Sequence, residues 1–318
     1  MAVVFMFAGQ GSQYYGMGRQ LYEENRVFRE WMDYCSDLAA ADLGISLTEL
    51  LYKPRANRFE PFDQTLWTHP AVFIVNFSVA QTLMSENIKP DVLLGYSLGE
   101  MVALTLAGAV RLEQAIHAVI SFARLIEERT RPAGMLAVLG PAALYSERGD
   151  LFSRTELACD NYSANFVVTG LMDDLELVRR GLEKEDVSAQ ILPITRGFHS
   201  AFIDPAEAEA RAIIRSIPLG WLSTRVVSSV RARELADGDL DDSFCWDVIR
   251  RPVEFARTIE HLERTGPHIY IDAGPSGSLA AFIKYGLGKG AASKSYVVLN
   301  QFGHDISGLA RLKTALES

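Results

Sequence analysis

DVLLGYSLGEMVAL, Asp91–Leu104, reads in three pieces: an apolar run long enough for a buried strand, the pattern G-x-S-x-G around Ser97, and a helix-forming run that continues as LTLAGAV. A strand that turns sharply into a helix lifts its serine hydroxyl out at the carboxyl edge of a sheet. Gly95 and Gly99 permit the tight turn because they bring no Cβ. The helix that follows points free N–H groups and a positive dipole end at any oxyanion formed beside the serine. A serine that merely shapes a turn fits the same five residues, so Ser97 is a candidate nucleophile that still needs a base.

Outward from this turn, strand-like runs alternate with helical patterns. VVFMF precedes a Gly-rich loop, PHIYIDAG precedes PSGSLAAFIKYGL, and SYVVLN precedes the last helical stretch. That alternation predicts a parallel sheet flanked by helices, an α/β class. Between Gly134 and Ile194 the order changes to strand (MLAVLG), short helix, strand (ELACD), strand (NFVVTG), helix (DDLELVRRGLEK), strand (SAQILPI). This is the ferredoxin-like βαββαβ order. We therefore expect a small ferredoxin-like subdomain over 132–196, inserted into a larger α/β-hydrolase-like domain made of 1–131 and 197–318.

Composition narrows the function. With 318 residues, 48% hydrophobic and 22% charged, the chain has the makings of a soluble globular protein. No apolar stretch is long enough to span a bilayer, since Glu100 interrupts the best one, and the N-terminus lacks the basic start of a signal peptide, so a cytoplasmic location and no membrane partner are expected. A net charge of −9 disfavours nucleic acid, whose binding draws on clustered Lys and Arg. Cys35, Cys159 and Cys245 show no paired spacing, which predicts reduced buried thiols and no metal site.

Of six histidines, His199 in TRGFHSAFIDPAE sits in a Gly-containing loop where the chain returns from the inserted unit, a place where catalytic groups are often carried. A structural histidine fits the same position. His117 lies off the apolar stripe of its helix, and His69, just before Pro70, suits a cap or a site wall. The loop AGQGSQYYGMG fails both nucleotide templates: Tyr14 stands where the dinucleotide fingerprint needs its third Gly, and no G-K-[ST] follows. Its backbone can instead approach the serine turn and offer a second oxyanion donor, such as the N–H of Gln10; a plain connecting loop is the alternative.

Three motifs, GQGSQ at 9–13, GYSLGE at 95–100 and GFHS at 197–200, together resemble the malonyl-CoA:acyl-carrier-protein transacylase family. The resemblance extends through THPAVF, RPVEFARTIEHL and IDAGPSGSL, and is greatest to the free-standing acyltransferase and acyl hydrolase proteins of trans-acyltransferase polyketide synthase clusters. It implies a Ser–His dyad in which Ser97 attacks an acyl thioester, His199 takes its proton, and the backbone N–H groups of Gln10 and Leu98 hold the oxyanion. It further implies a backbone carbonyl near Val248 that orients His199, and a small-domain Asn at Asn161 in contact with substrate. No cofactor of its own is implied: the phosphopantetheine arm, or coenzyme A, arrives with the substrate. The implied partner is an acidic acyl carrier protein, and the protein is expected to act as a monomer.

The departures from the family bear on substrate. Counting from Ser97 without gaps, Phe122 stands where the family has an arginine that clamps the malonyl carboxylate. A carboxylate facing a phenyl ring loses that pairing at a cost of several kcal/mol. Arg124 cannot stand in, because helical residues two apart face nearly opposite sides. Phe122 also fits a plain core stripe with Leu112, Ala115, Val119 and Ile126. Tyr96 replaces a usual His, His69 replaces a usual Gln, and Phe198 keeps the pattern of members with small acyl groups, so all three are expected to line the acyl site. The expected activity is therefore hydrolysis of non-carboxylated acyl groups from carrier proteins, with acyl transfer as the competing outcome. A generic small-ester hydrolase would lack the inserted unit, and a non-catalytic scaffold would not need Ser97 and His199. For docking an acidic partner, three basic sets suggest themselves: Arg250 with Arg251; Lys284, Lys289 and Lys294; or Arg179 with Arg180.

Overall fold

The computed structural model describes residues 1–54 and 60–317. Two sheets organise the chain. Strands β1 (Ala2–Phe7), β2 (Val92–Gly95), β3 (Gly134–Val138), β4 (Glu156–Tyr162), β5 (Asn165–Gly170), β6 (Ala189–Ile191), β7 (Arg225–Ser228), β8 (Arg233–Glu234), β9 (Val253–Glu254), β10 (His268–Asp272) and β11 (Lys294–Val297) follow in chain order. The larger sheet has the order β11-β10-β1-β2-β7-β8, parallel except for the short antiparallel β8 at one edge. Its inner strands are near-continuous apolar runs, as a parallel sheet covered by helices on both faces requires. The helix Thr65–Ser85 is apolar on all sides and buried along most of its length, whereas Leu112–Arg129 buries one stripe and exposes the other.

The smaller sheet runs β6-β3-β5-β4-β9. Its first four strands pair antiparallel in the ferredoxin-like order, and the helix Met172–Glu183 packs Leu175, Val178 and Leu182 into a separate small core with Leu136, Phe166 and Val168. The fold is thus α/β, with a large parallel-sheet unit and a small ferredoxin-like one. The sequence pattern gives no hint of the fifth strand. β9, drawn from beyond residue 250, pairs parallel with β4 and ties the small sheet to the large unit. The alternation of apolar runs likewise does not mark β7 or the two-residue β8.

In the large sheet the strand order changes direction at β1. The chain proceeds from β1 to β2 on one side, and returns to β10 on the other. Crevices at the carboxyl ends of strands beside such a switch are where parallel sheets bind ligands. Both the Gly9–Gln13 loop after β1 and the Ser97 turn after β2 open there.

Candidate active site

Close packing makes the serine turn. A Cβ on Gly99 would lie 1.9 Å from the carbonyl oxygen of Phe7, and one on Gly95 would lie 2.3 Å from the Cα of Glu100, so neither position admits a side chain. Ser97 itself takes φ 55°, a left-handed conformation that non-glycine residues adopt at a cost and that clusters at functional turns. The helix Gly99–Leu106 begins directly after it. The first-turn N–H of Leu98 and the N–H of Gln10 make no loop or cap hydrogen bond to a backbone carbonyl among the described residues.

His199 meets Ser97 across 102 residues of chain: its Nε2 stands 2.8 Å from the serine Oγ. Its loop is pinned on every side. The His199 N–H donates to the Ile249 carbonyl at 2.9 Å, Thr169 Oγ1 donates to the Phe198 carbonyl at 3.0 Å, and Ser200 Oγ donates to the Gly197 carbonyl at 2.7 Å. The ring's Nδ1 lies 2.8 Å from the backbone carbonyl of Arg251, which fixes Nδ1 as the protonated nitrogen and leaves Nε2 free to accept from Ser97. The orienting carbonyl therefore belongs to Arg251, three residues beyond the expected neighbourhood of Val248. The reason is Pro252: a residue before proline is driven to extended geometry, and Arg251, at φ −85° and ψ 155°, leaves the helix Asp242–Arg250 there and turns its carbonyl towards the imidazole.

Burial shapes the electrostatics. His199 is almost fully buried, and desolvation lowers its pKa from 6.5 to about 4, against a smaller upward pull from the Arg251 carbonyl. The imidazole is thus a neutral base throughout the physiological range. For a base the active form exists above its pKa. We expect kcat/KM for an acyl-pantetheine thioester to stay flat from neutrality down to about pH 5 and to fall only as pH approaches 4; a break near 6.5 in the pH profile of the free enzyme would contradict this.

A cavity of about 100 Å³, enough for several waters, opens beside the dyad between the two units. The large unit lines it with Met101, Leu104, Val119, Phe122 and Ile126, and the small unit with Met135, Cys159, Val167 and Ile194. Among the described residues no lysine or arginine is in its wall. Gln10, His69, Tyr96, Leu98 and Phe198 all line it as well. Phe122 is half-buried on the wall one helical turn from Val119 and Ile126, and it also packs against the core. Arg124 points elsewhere and donates to the Asp42 carbonyl at 2.8 Å.

Asn161 is placed differently from its implied role. It is not in the cavity wall; its Oδ1 accepts from the Tyr96 hydroxyl at 2.8 Å and its Nδ2 donates to Asn165 Oδ1 at 2.6 Å. Its amide is occupied in holding the ring of Tyr96, which has replaced the usual histidine. Arg196 spends its guanidinium on the carbonyls of Thr195 and Glu127, at 3.0 and 3.3 Å, and stays out of the cavity. Three residues join the site without having been singled out in the sequence. Asn76 clasps Ala8 through both main-chain groups and so fixes the start of the Gly9–Gln13 loop. Thr68 Oγ1 accepts from the Gln10 side chain at 2.9 Å. Glu100, from the serine motif itself, reaches the cavity wall with a buried carboxyl, its pKa raised to about 7 by desolvation and restrained by hydrogen bonds from Ser228, Ser229 and Val230.

Against known proteins, residues 4–318 match the acyl transferase domain family. The chain belongs to that family. As an acyltransferase-family enzyme it is 34% identical over 316 residues to the polyketide biosynthesis acyltransferase homolog BaeD of Bacillus velezensis, covering 99% of this chain and 97% of that one. It is 35% identical over 307 residues to the homolog PksD of Bacillus subtilis, covering 96% and 94%. Among solved structures it resembles the MCAT of Streptococcus pneumoniae, with a TM-score of 0.81, 25% identity and 98% of each chain covered. The family and the Ser97–His199 geometry agree: a serine hydroxyl stands 2.8 Å from the ring nitrogen of a buried, neutral histidine.

Proposed function

We propose that this acyltransferase-family protein works in polyketide biosynthesis as a trans-acting acyl hydrolase that removes non-carboxylated acyl groups from acyl carrier proteins. The observation that supports this most is the wall of the acyl cavity, where Phe122 stands and, among the described residues, no cation does. Ser97 Oγ attacks the thioester carbonyl while His199 Nε2 takes its proton, and the developing oxyanion is met by the N–H groups of Gln10 and Leu98. The phosphopantetheine thiolate leaves with the proton from His199. Water then adds to the acyl carbonyl as its proton passes to Nε2, and that proton moves on to Ser97 Oγ as the C–Oγ bond breaks, which releases the carboxylic acid and restores both Ser97 and neutral His199. The Arg251 carbonyl accepts from Nδ1–H throughout and steadies the imidazolium between the two steps.

The same acyl-enzyme would instead pass its acyl group to a second carrier protein if a thiol outran water. Mixing the enzyme with acetyl-loaded carrier protein and a second, empty holo carrier separates the two by intact-protein mass spectrometry. We expect the acetyl to be lost and the second carrier to stay empty; transfer of the label to the second carrier would make the protein a transferase.

For the carrier protein the ion-pair pattern favours one of the three basic sets. Arg250 is paired with Asp204, Arg251 with Asp247, and Arg179 and Arg180 with Glu176. Among the described residues Lys284, Lys289 and Lys294 make no ion pair, and Lys284 shares the helix Ser278–Gly286 with the exposed Tyr285. That helix packs Phe282 against Tyr96, next to the nucleophile. An acidic docking helix suits this face, and in the same two-carrier mixture Lys284→Glu should slow acetyl loss; an unchanged rate would assign docking elsewhere.

A further inference from the structure

Tyr96 precedes the nucleophile, and its main chain belongs to the large unit: its N–H donates to the Phe7 carbonyl at 3.0 Å and its carbonyl accepts from the Gly99 N–H at 2.9 Å. Its ring packs edge-on to Phe255 and beside Phe282, with centroids 5.7 and 6.4 Å away. The hydroxyl reaches across to the small unit, where it donates to Asn161 Oδ1 on β4. Asn161 is 2% exposed, and from it a buried chain of bonds continues: Nδ2 donates to Asn165 Oδ1, and Asn165 Nδ2 donates to the Val138 carbonyl at 3.2 Å. The pairing of β4 with β5 is irregular between Asp160 and Tyr162, where Asn161 stands, and bulges of this kind re-aim side chains beside active sites.

From β4 the connection returns to the dyad. Cys159 and Asp160 pair in parallel with Val253 and Glu254 of β9, and on the large unit's side the Glu254 N–H donates to the Ser229 carbonyl at 2.8 Å. β9 is thus held between the two units. Only Pro252, with its fixed φ, separates Val253 from Arg251, whose carbonyl lies 2.8 Å from His199 Nδ1. His199 Nε2 in turn faces Ser97 Oγ, on the residue next to Tyr96. The path that leaves Tyr96 through its hydroxyl therefore closes on the nucleophile.

We propose that Tyr96 is a positioning residue for the dyad: its hydroxyl seats β4, and through β4 and β9 the Arg251 carbonyl, so that His199 Nε2 stays within reach of Ser97 Oγ. Without that hydroxyl the Asn161 amide oxygen is left buried with no donor from the large unit, and the seat of β4 is lost. The inference rests on the reading of Ser97 and His199 as the reacting pair.

The test uses the full chain with acetyl-pantetheine, following release of the thiol below the melting temperature of each variant. Tyr96→Phe deletes one oxygen and keeps the ring on Phe255 and Phe282, and Asn161→Leu cuts the same bond from a residue outside the cavity wall. Because a misplacement of about an ångström can cost roughly 100-fold, each variant is expected to lower kcat roughly 10- to 100-fold with KM unchanged. The double variant should lose about as much as one single variant, since both cut one bond. Where one variant does not fold, the other end of the bond supplies the same reading. A wild-type kcat accompanied only by a lower Tm would make the hydroxyl structural and overturn the proposal. So would a raised KM at constant kcat, or single losses that multiply in the double variant. Wild-type protein that releases no thiol and takes up no acetyl would overturn the Ser97 reading, and this proposal with it.

Discussion

Replacing Ser97 by alanine should abolish the acyl mass increment on the protein and lower thioester turnover by roughly 10⁴-fold or more. On the proposed mechanism the Oγ is the atom that becomes esterified, and Cys159 and Cys245 in the cavity wall are poor substitutes, their thiols pushed up to about 12 by burial. What survives should be the modest acceleration that the N–H groups of Gln10 and Leu98 give to direct attack by water. Because Ser97 and His199 act as one unit, His199→Ala should lose nearly as much, and the double variant little more than either. Intact mass after incubation with acetyl-pantetheine reads the first effect and steady-state hydrolysis the second. Persistent labelling of Ser97→Ala would remove the serine from the mechanism.

The second large effect is a change of substrate. In Phe122→Arg a guanidinium is placed on the cavity wall between Val119 and Ile126, where a malonyl carboxylate can meet it with two parallel hydrogen bonds. Charge-assisted bonds contribute about 1.5–3 kcal/mol each, and 1.4 kcal/mol is a factor of ten. Acetyl, by contrast, leaves the new charge buried without a partner. The ratio of malonyl to acetyl labelling should therefore rise by at least roughly 100-fold in the variant. Labelling ratios within each protein are the proper measure, since a buried arginine also costs stability. An unchanged ratio would mean that Phe122 is only core packing and that the acyl group lies elsewhere.

How much of this was legible in the sequence depended on how local the cause was. The strand, turn and helix around Ser97 follow from two glycines and an apolar run within fourteen residues, and the βαββαβ order from six adjacent segments. The meeting of Ser97 with His199 needed long-range information, which came from the spacing of three motifs. The carbonyl that orients His199 was misplaced by three residues because a main-chain oxygen has no residue type; the Arg251–Pro252 step was the signal that could have located it. Asn161 was carried over as a substrate contact, yet its amide is taken by Tyr96, a coupling that follows from the Tyr96 hydroxyl and that no single motif encodes. Helical geometry alone was enough to turn Arg124 away from the side that Phe122 faces.

Wild-type protein mixed separately with acetyl-loaded and malonyl-loaded carrier protein, and followed by intact mass at single turnover, tests most directly whether the cavity is built for uncharged acyl groups. Rapid appearance of acetyl on the protein and its release to water, with malonyl retained on its carrier, is the expected result. Malonyl labelling as fast as or faster than acetyl would contradict it.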